Sequence, residues 1–377
     1  MAKSARAEVG AEEILAGIRR WVEIESQTAD VAGVNRVMDA AEHEWREAGA
    51  EVQRIAGRDG RGDHLLVTSP WGRGDGVLVL CHLDTVHPKG TLAADLPFRV
   101  EGDKAFGPGI YDMKGGAYIA LAAYREIVRA GRTTPLPIRV LIVSDEEVGS
   151  PTSRALIEAE ADRARYVLVT EPARDGGKVV TGRKGVARYE MHARGRPAHS
   201  GSKHAEGRSA ILEIARQIVD IQAMTNYATG VTLNVGQIKG GTADNVVPEH
   251  CTAAIDMRVS RVEDAEMMDR RLKSLKPYDP DVRLTITGGL NRPPYEKSNA
   301  VASLFEHARR LANELGFTLD DLSTGGGSDG NFTAHKVATL DGLGVDGNGA
   351  HTLSEHLLIS SLVPRMRLQQ RLFETLS

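Results

Sequence analysis

The chain has 377 residues, of which 41% are hydrophobic and 26% charged, with a formal net charge of −4 at pH 7 and two cysteines. That balance gives no basic excess for nucleic acid, no apolar run near the ~20 residues of a membrane span and no disulfide framework. It predicts a cytoplasmic globular protein large enough for two domains with a sizeable core. Residues 1–10 carry scattered charges and no apolar stretch, which predicts no secretory leader.

Ile14, Leu15, Ile18, Trp21 and Val22 recur with helical spacing and predict a helix over 11–24. Val34, Val37, Met38, Ala41 and Trp45 predict a second over 31–48, and strands follow at 51–55 and 64–68. The continuous apolar run 76–81 predicts a strand buried on both faces, ending in His82-Leu83-Asp84. His-x-Asp has a physical logic, since a metal-bound imidazole needs an acceptor to fix its tautomer and orientation. A loop histidine would explain the pattern equally well on its own. The glycine-rich stretch 105–116 leads into a helix over 113–129, with Asp112 at its start. An N-cap acid is ordinary there, and a metal-bridging role is compatible with it.

A second buried run, 138–143, ends in Asp145-Glu146-Glu147. Acids packed at the end of a buried strand are costly, because like charges repel and burial disfavours ionisation; a divalent cation is the strongest offset. Ser150-Pro151 predicts the cap and first position of the next helix. A third buried strand, 166–170, runs into Glu171-Pro172. Three strands thus end in His82, Glu146/Glu147 and Glu171. Open α/β sheets bind ligands beyond the carboxyl ends of their strands, so this edge is the candidate site. Histidine with carboxylate suits zinc, cobalt or manganese better than a thiolate site would.

After Gly182 the pattern changes to strand 186–194, helix 205–224, strands 231–238 and 250–259, helix 263–275 and strand 282–288. That β-α-β-β-α-β order is the split βαβ arrangement of a ferredoxin-like module. The α/β pattern then resumes with helix 298–315, a glycine loop at 324–330, strand 337–340 and a closing helix over 358–375. The expected fold is therefore α/β, a mixed and largely parallel sheet flanked by helices. Residues 1–183 and 293–377 form the main domain, and 184–292 an inserted one. His351, in the loop 342–354, lies beyond a strand end as the other candidates do, with His335 and His356 as rivals.

In this order and spacing, six motifs resemble one family over essentially the whole chain from about residue 10. They are His82-Leu83-Asp84, Gly109-Ile110-Tyr111-Asp112-Met113-Lys114-Gly115-Gly116, Asp145-Glu146-Glu147-Val148-Gly149, Glu171-Pro172, Pro197-Ala198-His199-Ser200-Gly201 and the 349–351 turn. The resemblance is to the co-catalytic dinuclear zinc hydrolases that include glutamate carboxypeptidase, acetylornithine deacetylase and succinyl-diaminopimelate desuccinylase. It implies a zinc-exopeptidase-like main domain and a ferredoxin-like insert serving as lid and dimerisation domain.

The same resemblance implies two divalent ions, zinc first and cobalt or manganese next. Asp112 matches the bridging ligand, His82 and Glu171 the ligands of one ion, and Glu147 and His351 those of the other. Gly349-Ala350-His351-Thr352, with Glu355 four residues on, matches the family's last ligand motif and favours His351 over His356. Asp84 matches the residue that orients His82, and a cis peptide is implied at Asp112–Met113. Glu146 matches the general base, which takes a proton from a water held between the ions and passes it to the leaving amine. His199 matches the oxyanion donor, sometimes supplied across a dimer interface. Arg258 matches the anchor of a substrate carboxylate, and Asn245 a neighbour of that site. Gly326, Gly327 and Ser328 are weaker candidates for substrate contact, while Arg183 and Arg292 are more simply read as solvated surface charges.

The implied reaction is hydrolysis of an amide bond to an amino acid with a free carboxylate. Gly107-Pro108-Gly109 and the 325–327 glycines look closest to the glutamate carboxypeptidase branch. The alternatives are an N-acyl-amino-acid deacylase like acetylornithine deacetylase, a hydrolase of an unusual amide-like C–N bond, and a non-catalytic relative that uses the fold for binding. The expected partners are a small peptidyl or N-acyl amino acid and a second copy of the chain, with no nucleic acid and no membrane.

Overall fold

Gly76–His82, Ile138–Val143 and Ala164–Val169 lie side by side and parallel, with Gly76–His82 in the middle. Ala338–Leu340 extends the sheet in parallel beyond Ala164–Val169, and His64–Thr68 and Glu51–Ile55 extend it antiparallel on the other side. This computed structural model describes residues 9–377; the stretch 1–8, where the sequence predicts no leader, lies outside the described residues. Every residue of Gly76–His82 and Ile138–Val143 is buried, because helices or turns cover both faces. Val77, Val79, Val140 and Ile142 face a core with Ile18, Trp21, Ile119 and Met366. Leu78, Leu80, Leu141 and Val143 face the opposite one, with Ile157, Ala161 and Phe332. Truncating such a residue, as in Leu78→Ala, costs ~2–5 kcal/mol.

The chain divides into two compact units. The first runs through Gly182 and includes Lys297–Ser323 and Ser328–Ser377; it contains the large sheet. Its central helix, Gly115–Arg129, carries Ala11–Val22 and Leu362–Thr375 against it. A Cβ on Gly116 would stand 1.9 Å from the carbonyl oxygen of Thr170, so only glycine lets this helix start so close to the strand end at Glu171. The helix begins at Gly115, two residues later than expected, because Ile110–Lys114 is an irregular turn in which Asp112 has φ −117° and ψ 94°. The Asp112–Met113 peptide is cis, as the resemblance implies.

Ser150 does not cap a helix as expected. It has φ 57° and donates to Asp329, while Asp145 accepts Thr152 N–H at 2.6 Å and Ser153 Oγ at 2.5 Å just before the helix Arg154–Ala161. Four strands of two or three residues (Arg99–Glu101, Lys104–Phe106, Gly347–Asn348 and His356–Leu358) form a small sheet too short to show in the sequence pattern.

The second unit is Arg183–Glu296 with Thr324–Gly327, so it also takes in part of the glycine loop. Its element order is βαββαβ, with an antiparallel sheet in the order Thr232–Gly240, His250–Val259, Gly185–Arg194 and Arg283–Arg292. Ala187, Tyr189, Met191, Cys251, Ala253 and Ile255 alternate inward to meet Ile214 and Ile221 of Ala210–Gln222 and Met268 of Val262–Lys273. Among the described residues no helix is long and apolar enough to cross a membrane.

Candidate metal centre

Three adjacent parallel strands end at one edge of the main sheet, His82 as the last residue of its strand and Glu146, Glu147 and Glu171 just beyond the ends of theirs. His82 ends its strand with the ring held by Nδ1, which donates to the carbonyl oxygen of Asp84 at 2.9 Å. In the neutral ring Nε2 therefore carries the lone pair, and that atom is buried without a hydrogen-bond partner. The Asp84 carboxylate is 3.4 Å from the ring and has other partners: Thr28 Oγ1 at 2.7 Å, and the peptide N–H groups of Glu146 and Glu147, each at 3.3 Å. Asp84 thus ties the end of Gly76–His82 to the turn Glu146–Val148.

Asp112 stands between two imidazoles. Its Oδ1 is 3.4 Å from His82 Nε2, and its Oδ2 is 3.4 Å from His351 Nε2. Each imidazole has a further carboxylate beside it, Glu171 at 3.7 Å from His82 and Glu147 at 3.2 Å from His351. A tetrahedral ion with bonds of ~2.0–2.1 Å holds its ligand atoms ~3.3 Å apart. The four separations here cluster at that length, with one slightly longer.

The Oε1 of Glu147 is a second buried polar atom without a hydrogen-bond partner. With His82 Nε2, it leaves unused donor capacity on both sides of Asp112. The donor set is nitrogen and oxygen only, and the burial pushes the Cys81 thiol up to about 12. These residues fit a pair of divalent cations.

The electrostatics point the same way. Asp112 and Glu147 push His351 up to about 11 against the opposing effect of burial. Burial lowers His82, but the carboxylates of Asp112 and Asp84 beside the ring, with the charge of Glu146, carry it well above its ordinary value. Burial favours the neutral acid at Asp112, yet the two imidazoles hold it well below the carboxylate range. Glu147 is left raised, by burial first and by the charges of Asp112 and Asp84, against the opposing hydrogen bond to His351. Without other cations, protons on the histidines supply the positive charge that this edge demands.

Glu146 sits on the same turn as Glu147, and the two have different neighbours: Glu147 groups with His82 and Asp112, Glu146 with His82 and Glu171. A carboxylate oxygen of Glu146 and ligand atoms of His82 and Glu171 all lie within 4.8 Å of one another. That proximity suits a base beside the first ion, and it also admits Glu146 as a ligand. His351 has φ 63°, in a turn held by Thr352 N–H donating to Gly349 O at 3.0 Å. His356 faces elsewhere, with Nδ1 donating to Ser354 O at 2.8 Å.

The remaining candidates are on the second unit, except Ser328. His199 is exposed, and its Nδ1 accepts N–H groups of Gly201 at 3.1 Å and Ser202 at 3.2 Å, which puts its proton on Nε2. Ser200 N–H donates to Asn245 O at 3.0 Å and Val247 N–H to Ala198 O at 2.9 Å, so the His199 and Asn245 segments are brought together. Arg258 grips Asp256 with Nε at 2.7 Å and Nη2 at 3.0 Å.

Arg183 and Arg292, expected at the surface, are 2% and 4% exposed; Arg183 Nη1 donates to the carbonyls of Gly326 and Gly327. Ser328, expected among the substrate contacts, is buried. Its hydroxyl donates to Asp341 at 2.5 Å and accepts Gly330 N–H, so it serves as the cap of the turn Asp329–Phe332. Thr28 and His87 carry no signal in the sequence, and Glu355 enters there only as part of the motif around His351; the contacts of all three with the site cross large stretches of chain.

A model of peptidase family M20/M25/M40 matches residues 78–375. Carboxypeptidase G2 of Pseudomonas sp. (strain RS-16) is 32% identical over 368 residues, which is 95% of this chain and 88% of that protein. Succinyl-diaminopimelate desuccinylase of Burkholderia multivorans is 29% identical over 290 residues, 72% of this chain and 75% of its own. Among solved structures, aminopeptidase PepT of Bacillus cereus aligns at a TM-score of 0.79 and 22% identity over 98% of this chain and 99% of that one, a likeness of fold.

Proposed function

The chain belongs to peptidase family M20/M25/M40, and from that premise we propose that it cleaves the amide bond of a peptidyl or N-acyl amino acid bearing a free α-carboxylate. Within that class we favour carboxypeptidase action of the glutamate-releasing kind. The observation that carries the reading is the division of the Asp112 carboxylate between two imidazoles, each with its own second acid. Asp112 would bridge, His82 and Glu171 would hold one ion, and Glu147 and His351 the other, with zinc the first choice and cobalt or manganese next. Bound there, the ions would supply Lewis acidity, lowering the pKa of water and polarising the scissile carbonyl.

The chain's own groups do the rest. Glu146 takes the proton of the attacking water and returns it to the leaving amine. Asp84 accepts the N–H groups of both Glu146 and Glu147, which supports the turn that aims the two acids at different groups. His199, with its proton on Nε2, donates to the oxyanion, a role worth ~3 kcal/mol in the transition state. Arg258 holds the substrate carboxylate in a planar fork, already oriented by Asp256 and shared with it. Asn245 lies on the segment paired with that of His199 and completes this surface. The second unit acts as the lid that carries these groups, and through it two copies of the chain associate.

N-acyl-amino-acid deacylation is the second reading, supported by the likeness to succinyl-diaminopimelate desuccinylase. The zinc-loaded protein would be assayed on peptides ending in glutamate and on N-acetyl and N-succinyl amino acids, with release of free amino acid as the readout. Faster turnover of the peptides supports the first reading and of the acyl amino acids the second. Release from neither overturns both.

A further inference from the structure

Glu355 is 1% exposed, and its carboxylate accepts four donors. Oε1 takes the peptide N–H groups of Tyr111 at 3.0 Å and Asp112 at 2.9 Å. Oε2 takes the N–H of Gly109 at 3.1 Å and His87 Nε2 at 2.5 Å. Three of these donors belong to one turn, Gly109 with φ 71° followed by Ile110–Lys114. Asp112 and Met113 leave helical geometry there, so no regular ladder serves this stretch. Buried peptide N–H groups need acceptors, and here one side chain supplies three of them.

The acceptor comes from the other ligand-bearing segment. Glu355 follows His351 by four residues. Lys104–Phe106 pairs with His356–Leu358, Phe106 opposite His356, and Gly107 N–H donates to Glu355 O at 3.4 Å, which sets the register between the two segments. A carboxylate is required rather than an amide. Both oxygens face peptide N–H groups, so a glutamine in either orientation turns its NH2 against at least one of them.

We propose that Glu355 is a positioning residue: by gripping the backbone at Gly109, Tyr111 and Asp112, it aims the Asp112 carboxylate and so sets the spacing of the two ion sites, with His87 holding Glu355 in turn. This rests on the two-ion reading above. It makes the turn bearing Asp112 and the turn bearing His351 one mechanical unit. A partner outside the ligand shell commonly changes metal affinity by about 10–100-fold, and that is the size of effect expected here.

The test is zinc binding by calorimetric titration of metal-free protein, for wild type, Glu355→Gln, Glu355→Asp and the control Glu44→Gln. Glu44 is also a buried carboxylate with four side-chain donors, none of them from the candidate ligands. Glu355→Gln should weaken binding of at least one ion by about 10–100-fold. Glu355→Asp, with the charge kept but the reach shortened, should fall between it and wild type. Glu44→Gln should lower the melting temperature and leave both affinities at the wild-type value. Wild-type affinities in Glu355→Gln overturn the proposal, as does an equal loss in Glu44→Gln, which would mark a general stability effect. If Glu355→Gln does not fold, Glu355→Asp decides: weakened zinc binding supports the proposal, and wild-type affinity overturns it. If wild type itself fails to bind two ions, the two-ion reading falls first, and the Glu355 comparison is not what removed it.

Discussion

Glu44 and Asp112 are buried carboxylates of the same unit with opposite surroundings. Glu44 accepts Arg125 Nη2 at 2.9 Å, Arg20 Nη2 at 3.1 Å, Trp21 Nε1 at 3.1 Å and Tyr118 OH at 3.2 Å. Two guanidiniums, always charged, balance it from within the chain. Asp112 shares its edge of the sheet with Glu146, Glu147 and Glu171, and the cationic candidates facing them are His82 and His351. Histidine is neutral at ordinary pH unless its surroundings protonate it, and here two polar atoms of the cluster also lack hydrogen-bond partners. A buried acid that the chain balances itself is structural. A group of acids that needs charge from elsewhere marks where a cation belongs.

That contrast can be broken at several points. The largest effect should come from Glu146→Gln, which keeps the size and removes the base: kcat falls by ~10²–10⁴-fold while ion content stays near wild type. Ion loss in Glu146→Gln but not in Glu147→Gln would mean the roles of the adjacent acids are reversed. His199→Ala should lower kcat by ~10²–10³-fold with KM little changed, since a donor used only in the transition state leaves ground-state binding alone. Unchanged kcat would remove His199 from the site.

Glu44→Gln should cost ~1–3 kcal/mol in denaturant unfolding, because it disturbs a satisfied network, with kcat unaltered. A catalytic defect there would erase the distinction between the two acids. The smallest effect concerns pH in the metal-free protein. A histidine with a raised folded pKa contributes stability that is fully present below its unfolded value of ~6.5 and lost as pH climbs toward the folded one. For His351 that folded value is about 11. Melting temperatures of metal-free protein should therefore decline from pH 6.5 to 9, and those of ion-loaded protein should hold nearly steady. A rise in the metal-free series would contradict the charge demand argued for this cluster.

The central strands were legible because burial on both faces writes a continuous apolar run, as in Gly76–His82 and Ile138–Val143. The strand-end acids were legible because their position is costly without compensation. Other features depend on distant partners. Glu355 reaches Asp112 across 243 residues, and no local pattern marks a carboxylate as the acceptor for another segment's backbone. Arg183 and Arg292 read as surface charges because their burial depends on the glycine loop and strand ends around them. Ser150 looked like a cap because Ser-Pro commonly is one; its left-handed backbone and its bond to Asp329 arise only in the folded unit. The cis bond at Asp112 came from resemblance, and nothing in hydrophobic periodicity encodes it.

The central claim is that the edge bearing Asp112 takes its missing positive charge from two divalent ions. Protein stripped with chelator, dialysed against buffered zinc and analysed for metal and for peptide hydrolysis tests it directly. The account predicts two ions per chain, with hydrolysis absent from the stripped protein and returning as they bind. Full hydrolysis by stripped protein, or a folded chain that takes up no zinc, would contradict it.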